Sequence, residues 1–180
     1  YDTANVVVTL KSPPVALVRD TTVSYCVTQQ ICIPASCSDP DGDLTSCSMI
    51  SGAGSYNGTN ICFTPDTSGT YRFIIRAMDA CGATDLDTGF AIVTLNRRPD
   101  VIPGGGSYTL CEPGQICVPI NATDPDGNPL TYTTTMGTIS GNTVCINSGV
   151  AGTRVFNFNV VAKDGCGAAD TALYTVNVKV

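Results

Sequence analysis

Apolar and polar residues alternate along most of this chain, in short runs. Tyr71, Phe73, Ile75 and Ala77 fall on one face of the stretch from 71 to 78, and Phe156, Phe158, Val160 and Ala162 repeat the pattern later on. A period of two places those side chains on one side of a β-strand, so both stretches predict strands with one core-facing side. Turn-forming clusters bound the runs: Asp39-Pro-Asp-Gly-Asp43, Pro65-Asp-Thr-Ser-Gly69, Asp124-Pro-Asp-Gly-Asn128 and Asn147-Ser-Gly149. No segment carries the helical period, and the chain is predicted to be all-β.

The pattern also repeats at long range. Tyr25-Cys-Val-Thr-Gln-Gln-Ile-Cys-Ile-Pro34 returns as Leu110-Cys-Glu-Pro-Gly-Gln-Ile-Cys-Val-Pro119, positions 25 and 110 lying 85 apart. Asp39 to Asp124 and Cys81 to Cys166 keep that spacing, and Cys62 to Cys145 shortens it to 83. Two homologous units of about 85 residues are therefore expected, each with roughly seven strands, the proportions of an immunoglobulin-like β-sandwich. A further segment, Asp2-Thr-Ala-Asn-Val-Val-Val-Thr-Leu10, matches Asp87-Thr-Gly-Phe-Ala-Ile-Val-Thr-Leu95 and Asp170-Thr-Ala-Leu-Tyr-Thr-Val-Asn-Val178. The final strand thus occurs three times and the body twice. The expected organisation is residues 1–10 as one extra N-terminal strand, 11–96 as module 1 and 97–180 as module 2. The extra strand belongs either to a preceding unit of a longer array or to a neighbouring subunit that receives it, since a lone strand leaves its backbone unpaired. Short Pro-bearing links, Lys11-Ser-Pro-Pro14 and Asn96-Arg-Arg-Pro99, imply modules stacked end to end.

Composition narrows the chemistry. The 180 residues contain no His and no Trp, with 15 acids against 9 bases and a net charge of -6. Without His there is no Ser-His-Asp triad, Cys-His dyad or His-ligated metal, and no enzyme is expected. Nine scattered bases do not make a nucleic-acid or anionic-membrane surface. No apolar run is long enough to span a bilayer, and the start lacks a signal-peptide pattern, so a mature or excerpted segment is expected. Ten Cys with no CxxC pair point to disulfides, and hence to an extracellular or cell-surface location.

The combination of Asp39-Pro-Asp-Gly-Asp-Leu-Thr45, Asp124-Pro-Asp-Gly-Asn-Pro-Leu-Thr-Tyr132, the Gly69-Thr-Tyr71-x-Phe73 strand start, and the Ala77-x-Asp79 and Ala162-x-Asp164 strand ends resembles tandem cadherin-like, PKD-like and bacterial immunoglobulin-like repeats. The resemblance covers both units and implies a structural or adhesive role outside the cell. Arg97-Arg98-Pro99 stands where cadherins carry acidic linker motifs.

Several sites follow. The Asp-Pro-Asp-Gly segments are tight turns by residue type. Their alternating oxygens also suit a hard cation: Asp39, Asp41 and Asp43 in module 1, with Asp124, Asp126 and Asn128 in module 2. Asp79 or Asp164, with Asp85 or Asp170, would complete a calcium cage from the turn at the same tip; no other cofactor is expected. In a competing arrangement Arg97 and Arg98 pair with the module-2 acids. Cys32 with Cys62 and Cys117 with Cys145 are level across adjacent strands, and Cys37 with Cys47 would clamp the Asp-Pro-Asp-Gly hairpin. Of the remaining four, Cys26 is expected to bond Cys166 across the junction, and Cys111 the Cys81 equivalent of the next unit. The alternative is a hairpin bridge in each module, Cys26 to Cys32 and Cys111 to Cys117. Asn57-Gly-Thr59 and Asn121-Ala-Thr123 are glycan acceptor triplets. The function expected is a disulfide-bonded structural segment of a surface fibre, stalk or filament, whose partners are copies or further repeats of itself, end to end. The rival is an adhesin or a carbohydrate- or protein-binding module of a larger secreted protein.

Overall fold

Alternation along the chain becomes two facing sheets in each unit. The structure, a computed structural model, describes residues 1–180. It divides into unit 1, Tyr1–Leu95, and unit 2, Asn96–Val180. There is no helix.

Unit 1 contains β1 (Val15–Val18), β2 (Thr21–Tyr25), β3 (Ile31–Ser38), β4 (Leu44–Ser51), β5 (Ser55–Tyr56), β6 (Asn60–Phe63), β7 (Gly69–Asp79) and β8 (Thr84–Leu95). One sheet has the order β1-β3-β6-β5 and the other β2-β8-β7-β4. Unit 2 contains β9 (Asp100–Val101), β10 (Gly104–Thr109), β11 (Gln115–Pro119), β12 (Ala122–Thr123), β13 (Thr131–Thr134), β14 (Thr138–Ser140), β15 (Thr143–Asn147), β16 (Thr153–Lys163) and β17 (Ala169–Lys179). Its sheets are β10-β17-β16-β13 and β11-β15-β14, with a short β12-β9 pair. Both units are antiparallel except where β2 runs parallel to β8 and β10 parallel to β17.

The cores follow the predicted faces. Phe73, Ile75 and Ala77 on β7 and Phe158, Val160 and Ala162 on β16 are fully buried or nearly so. Each core holds a second aromatic, supplied from a different strand. In unit 1 it is Phe63 on β6, its ring centroid 4.9 Å from that of Phe73. In unit 2 the matching strand offers Ile146, and Tyr174 on β17 stacks on Phe158 at 5.8 Å. Tyr174 occupies the place of Gly89, since β7 pairs Phe73 with Gly89 and β16 pairs Phe158 with Tyr174. Each choice demands room nearby. A Cβ on Gly89 would lie 2.4 Å from Val18, and a Cβ on Gly104 would lie 2.4 Å from the Tyr174 ring. Aromatic volume is conserved while its origin moves, the kind of exchange that cores tolerate.

That register corrects one alignment. Matching Asp87-Thr to Asp170-Thr slips the last strand by two residues, because Asp85, not Asp87, is the structural counterpart of Asp170. The Asp85 carboxylate accepts a hydrogen bond from Ala16 N at 2.8 Å, and that of Asp170 accepts one from Val101 N at 2.9 Å. A slip of two keeps every side chain on its own face, which is why the alternation did not reveal it.

Three disulfides lie within the units. Cys32 bonds Cys62 between β3 and β6, and Cys117 bonds Cys145 between β11 and β15, each pair directly opposed. These bonds overturn the hairpin alternative of Cys26 to Cys32 and Cys111 to Cys117. Cys37 bonds Cys47 with Cα atoms 5.8 Å apart. It is not a hairpin clamp: β3 and β4 lie in different sheets, so the bond ties one sheet to the other. Residues Tyr1–Leu10 pair with no strand and are exposed, Val6, Val7, Val8 and Leu10 included.

Candidate functional site

The aspartate turns are built by their own first residue. Asp39 Oδ1 accepts from the N–H groups of Asp41 and Asp43, and Asp124 Oδ1 accepts from those of Asp126 and Asn128. Gly42 and Gly127 follow at φ of 75° and 73°, a region open to glycine at little cost. Asp39 thus caps its turn: burial pushes its carboxyl up, but the backbone N–H groups of Asp41, Asp43 and Gly42 help to lower its pKa overall.

With the loop shaped this way, the middle aspartate turns outward onto the chain entering the module. Asp41 Oδ2 accepts from Ser12 N at 2.5 Å, and Asp126 Oδ2 accepts from Arg97 N at 2.6 Å. The two bonds span the same 29 residues. In unit 2 the Arg97 guanidinium adds contacts to Asp126 Oδ1 and to the Pro125 carbonyl. The Arg97 N–H and side chain hold the Asp126 carboxyl below the usual carboxylate range. Arg98 lies 3.7 Å from Asp170, whose pKa is lowered first by the Val101 N–H and then, against burial, by Thr171 N–H and the Arg98 charge. The turn is therefore a clasp for the entering linker. Asp41 and Asp126 serve that clasp, and Asp85 and Asp170 tie β8 to β1 and β17 to β9, so these four stand outside the cation cluster assigned to them from sequence.

The three acids of unit 1 that do converge are Asp39, Asp43 and Asp79, with carboxylate oxygens within 4.8 Å of one another. Asp79 is 3% exposed, and its Oδ1 accepts from Cys81 N and Ala83 N. Asp39 Oδ2 and Asp43 Oδ1 are buried without a hydrogen-bond partner. The Lys11 ammonium reaches Asp43 Oδ2 at 3.1 Å, and that hydrogen bond and charge raise its pKa. Orphaned carboxylate oxygens around two uncompensated negative charges are the donor set a hard divalent cation takes.

Unit 2 resolves the same place differently. Asn128 replaces the third carboxylate and Asn96 replaces Lys11. The Asn96 amide donates to Asp164 Oδ2 at 2.7 Å and accepts from Asn128 at 2.8 Å, while Asp124 Oδ2 stays unpartnered. Here neutral amides take up hydrogen bonds, and unit 2 offers two carboxylates where unit 1 offers three. Sequence reasoning missed Lys11, Ser12 and Asn96. Their signal was the repeat itself, which places Ser12 over Arg97 and Lys11 over Asn96.

Cys26 and Cys166 are disulfide-bonded, and Cys81 and Cys111 are free and exposed. Asn57 is exposed in the turn between β5 and β6, and Asn121 is exposed next to β12. No helix is long and apolar enough to cross a membrane.

No protein-family model and no curated protein matches the chain. Solved structures do. Mouse cadherin-23 repeats EC22-24 align over 92% of this chain and 66% of theirs, with 17% identity and a TM-score of 0.60. Protocadherin gamma B7 extracellular cadherin domains 1-4 align over 89% of this chain and 49% of theirs, with 12% identity and a TM-score of 0.54. The chain therefore spans about two thirds and one half of these structures. The shared fold is that of tandem cadherin-like β-sandwich repeats, and the disulfides agree with an oxidising, extracellular setting.

Proposed function

We propose that the chain is a structural segment of an extracellular fibre, stalk or filament, and that its work is mechanical rather than catalytic. The observation that carries this reading is the clasp: in both units the linker entering the module is hydrogen-bonded through its backbone to the middle aspartate of the turn. A linker held at its main chain cannot swing as a free hinge, so each clasp converts a flexible joint into part of the module. Cys26 and Cys166 bond to each other across the junction in this reading, and Tyr1–Leu10 supplies the last strand of another sandwich, with Ala4, Val6, Val8 and Leu10 facing its core. Calcium is held in unit 1 alone, by Asp39, Asp43 and Asp79. Asn57 and Asn121 carry glycans.

Electron microscopy of the native material with and without reductant tests the reading. Continuous fibres built from these modules are expected, and discrete particles with Tyr1–Leu10 unpaired overturn it. Replacing Asp41 and Asp126 by Ala is expected to speed amide exchange at Ser12 and Arg97 while the core amides stay protected.

One observation favours the rival, a binding module. On the outer face of β8, Leu86, Phe90 and Ile92 are 57%, 39% and 48% exposed, and Arg72 and Arg76 lie beside Phe90 and Leu86 on β7. Unit 2 has Thr171, Thr175 and Asn177 in those places. A ligand lost on replacing Phe90 and Ile92 by Ser, with fibres absent, would select that reading.

A further inference from the structure

The four cysteines outside the unit-internal bonds occupy two positions of the repeat. Cys26 and Cys111 are 85 apart, as are Cys81 and Cys166. One member of each pair, Cys26 and Cys166, is disulfide-bonded, and the other, Cys111 and Cys81, is a free exposed thiol. Of these four, each unit has one bonded and one free cysteine, at opposite poles: one between the second and third strands of the unit, the other in the turn before its last strand.

We infer that Cys111 of one copy forms a disulfide with Cys81 of a second copy, joining chains head to tail into a covalent polymer. The inference rests on the proposed structural role and names its partner and its bond. The two poles differ, so the contact is heterologous, and a heterologous contact that does not close into a ring propagates as a filament. Both thiols sit on prepared supports. Around Cys81, Asp79 Oδ1 accepts from Cys81 N and Ala83 N, and Ala80 N donates to the Asp43 carbonyl, so the turn is fixed from two sides. Beside Cys111, Ser148 and Gly114 exchange hydrogen bonds, Ser148 N to the Gly114 carbonyl and Gly114 N to Ser148 Oγ. The same two segments line an open hollow, formed by Pro113, Gly114, Gln115, Asn147 and Gly149, into which a turn of another molecule can enter. Rigid supports lower the ordering cost of bringing two sulfurs to bonding distance.

The chemistry requires an oxidant, and a low-molecular-weight disulfide supplies it. The Cys111 thiolate attacks that disulfide and expels one thiolate. The Cys81 thiolate of the second copy then attacks the Cys111 sulfur of the mixed disulfide and expels the other. Two S–H bonds are lost and one S–S bond forms, while the oxidant's S–S bond is cleaved and takes up two electrons and two protons as two thiols.

The test uses the 180-residue chain, its Cys81→Ser and Cys111→Ser variants, and a glutathione disulfide buffer. The wild type is expected to give a ladder on a non-reducing gel that collapses with reductant. Each variant alone stays monomeric, and an equimolar mixture stops at a heterodimer, at least about tenfold more abundant than either homodimer because only one sulfur pair can meet. Mass spectrometry of the mixture identifies the Cys81 to Cys111 cross-linked peptide. A mixture no more dimeric than its components, or a variant that homodimerises as readily as it heterodimerises, overturns the inference. Fibres formed equally well by the double variant overturn the covalent link and leave the structural role standing. A heterodimer from a protein that never forms fibres supports the bond and overturns the role.

Discussion

The two units share a strand plan, yet at four places they reach the same end by different chemistry. Unit 1 ties its sheets with Cys37–Cys47; unit 2 has Ala122 and Tyr132 there, packed against its core. Unit 1 draws its second aromatic from Phe63 and has Gly89 on the last strand, where unit 2 has Tyr174 and sets Ile146 in the place of Phe63. Lys11 faces Asp43 in unit 1, and Asn96 faces Asn128 in unit 2. The outer face of the last strand is apolar in the first and Thr- and Asn-rich in the second. What stays constant is the cross-strand disulfide, the capped turn and the clasp. The difference teaches that the sandwich needs a filled core and is indifferent to which residues provide it, whereas the linker geometry is specified the same way twice.

The largest effect that would break the comparison is in the cores. Tyr174→Ala is expected to cost unit 2 about 3–5 kcal/mol, since it removes the second aromatic and leaves a cavity that Ile146 does not fill. Denaturant unfolding followed by amide exchange should show unit 2 opening first with unit 1 unaffected, and a loss under about 1 kcal/mol would refute the volume exchange. The reciprocal change is smaller: Gly89→Ala crowds Val18 and should cost about 1–3 kcal/mol in unit 1.

Replacing Cys37 and Cys47 with Ala should cost unit 1 about 2–3 kcal/mol, as the closed loop is short. Urea midpoints of the two chains measure it. If stability is unchanged, Ala and Tyr at the unit-2 positions are equivalent to the bond and packing alone suffices. Calcium sharpens the contrast further. Titration should raise the unfolding temperature of unit 1 only, and Asp43→Asn, which gives unit 1 the unit-2 residue, should abolish the rise. A shift in unit 2, or none in either, would remove the cation from the picture.

The smallest effects are in pH. Asp39, Asp126 and Asp170 have lowered pKa values, so the stability they add is present above the ordinary carboxylate range of about 4 and is lost as pH falls through their folded-state values. Both units should therefore weaken in acid. Lys11 has a raised pKa, so its contribution is complete below the usual lysine value of about 10.4 and is lost as pH rises through the folded-state value. Unit 2 carries Asn96 there, so this alkaline loss belongs to unit 1. Scanning calorimetry of the wild type against Lys11→Met checks the sign: the alkaline slope should be smaller in the variant.

Much of this is legible in the sequence itself. Alternation in the stretches from 71 to 78 and from 156 to 163 located the core faces, and the 85-residue repeat located the units and the levelled pairs Cys32–Cys62 and Cys117–Cys145. The carboxylate cluster was legible only in part. Asp39, Asp43 and Asp79 converge, but Asp41 was grouped with them because spacing along a turn does not say which carboxylate faces in. The two-residue slip at Asp87 was invisible because parity was preserved, and the sheet-to-sheet character of Cys37–Cys47 was hidden because a short sequence separation looks like a hairpin whether or not the strands pair.

Strand content, unit number and the inward faces are thus properties of the sequence alone, because period-two alternation and turn residues act over a few neighbours and a repeat is visible by comparison. Tertiary structure alone decided which aspartate clasps and which is left with an unpartnered oxygen, and from which strand each core draws its second aromatic. The clasps and the strand ties depend on residues 29 and 69 positions apart meeting in space, and only the packed sheets determine which side chains are close enough to share a hydrogen bond or a volume.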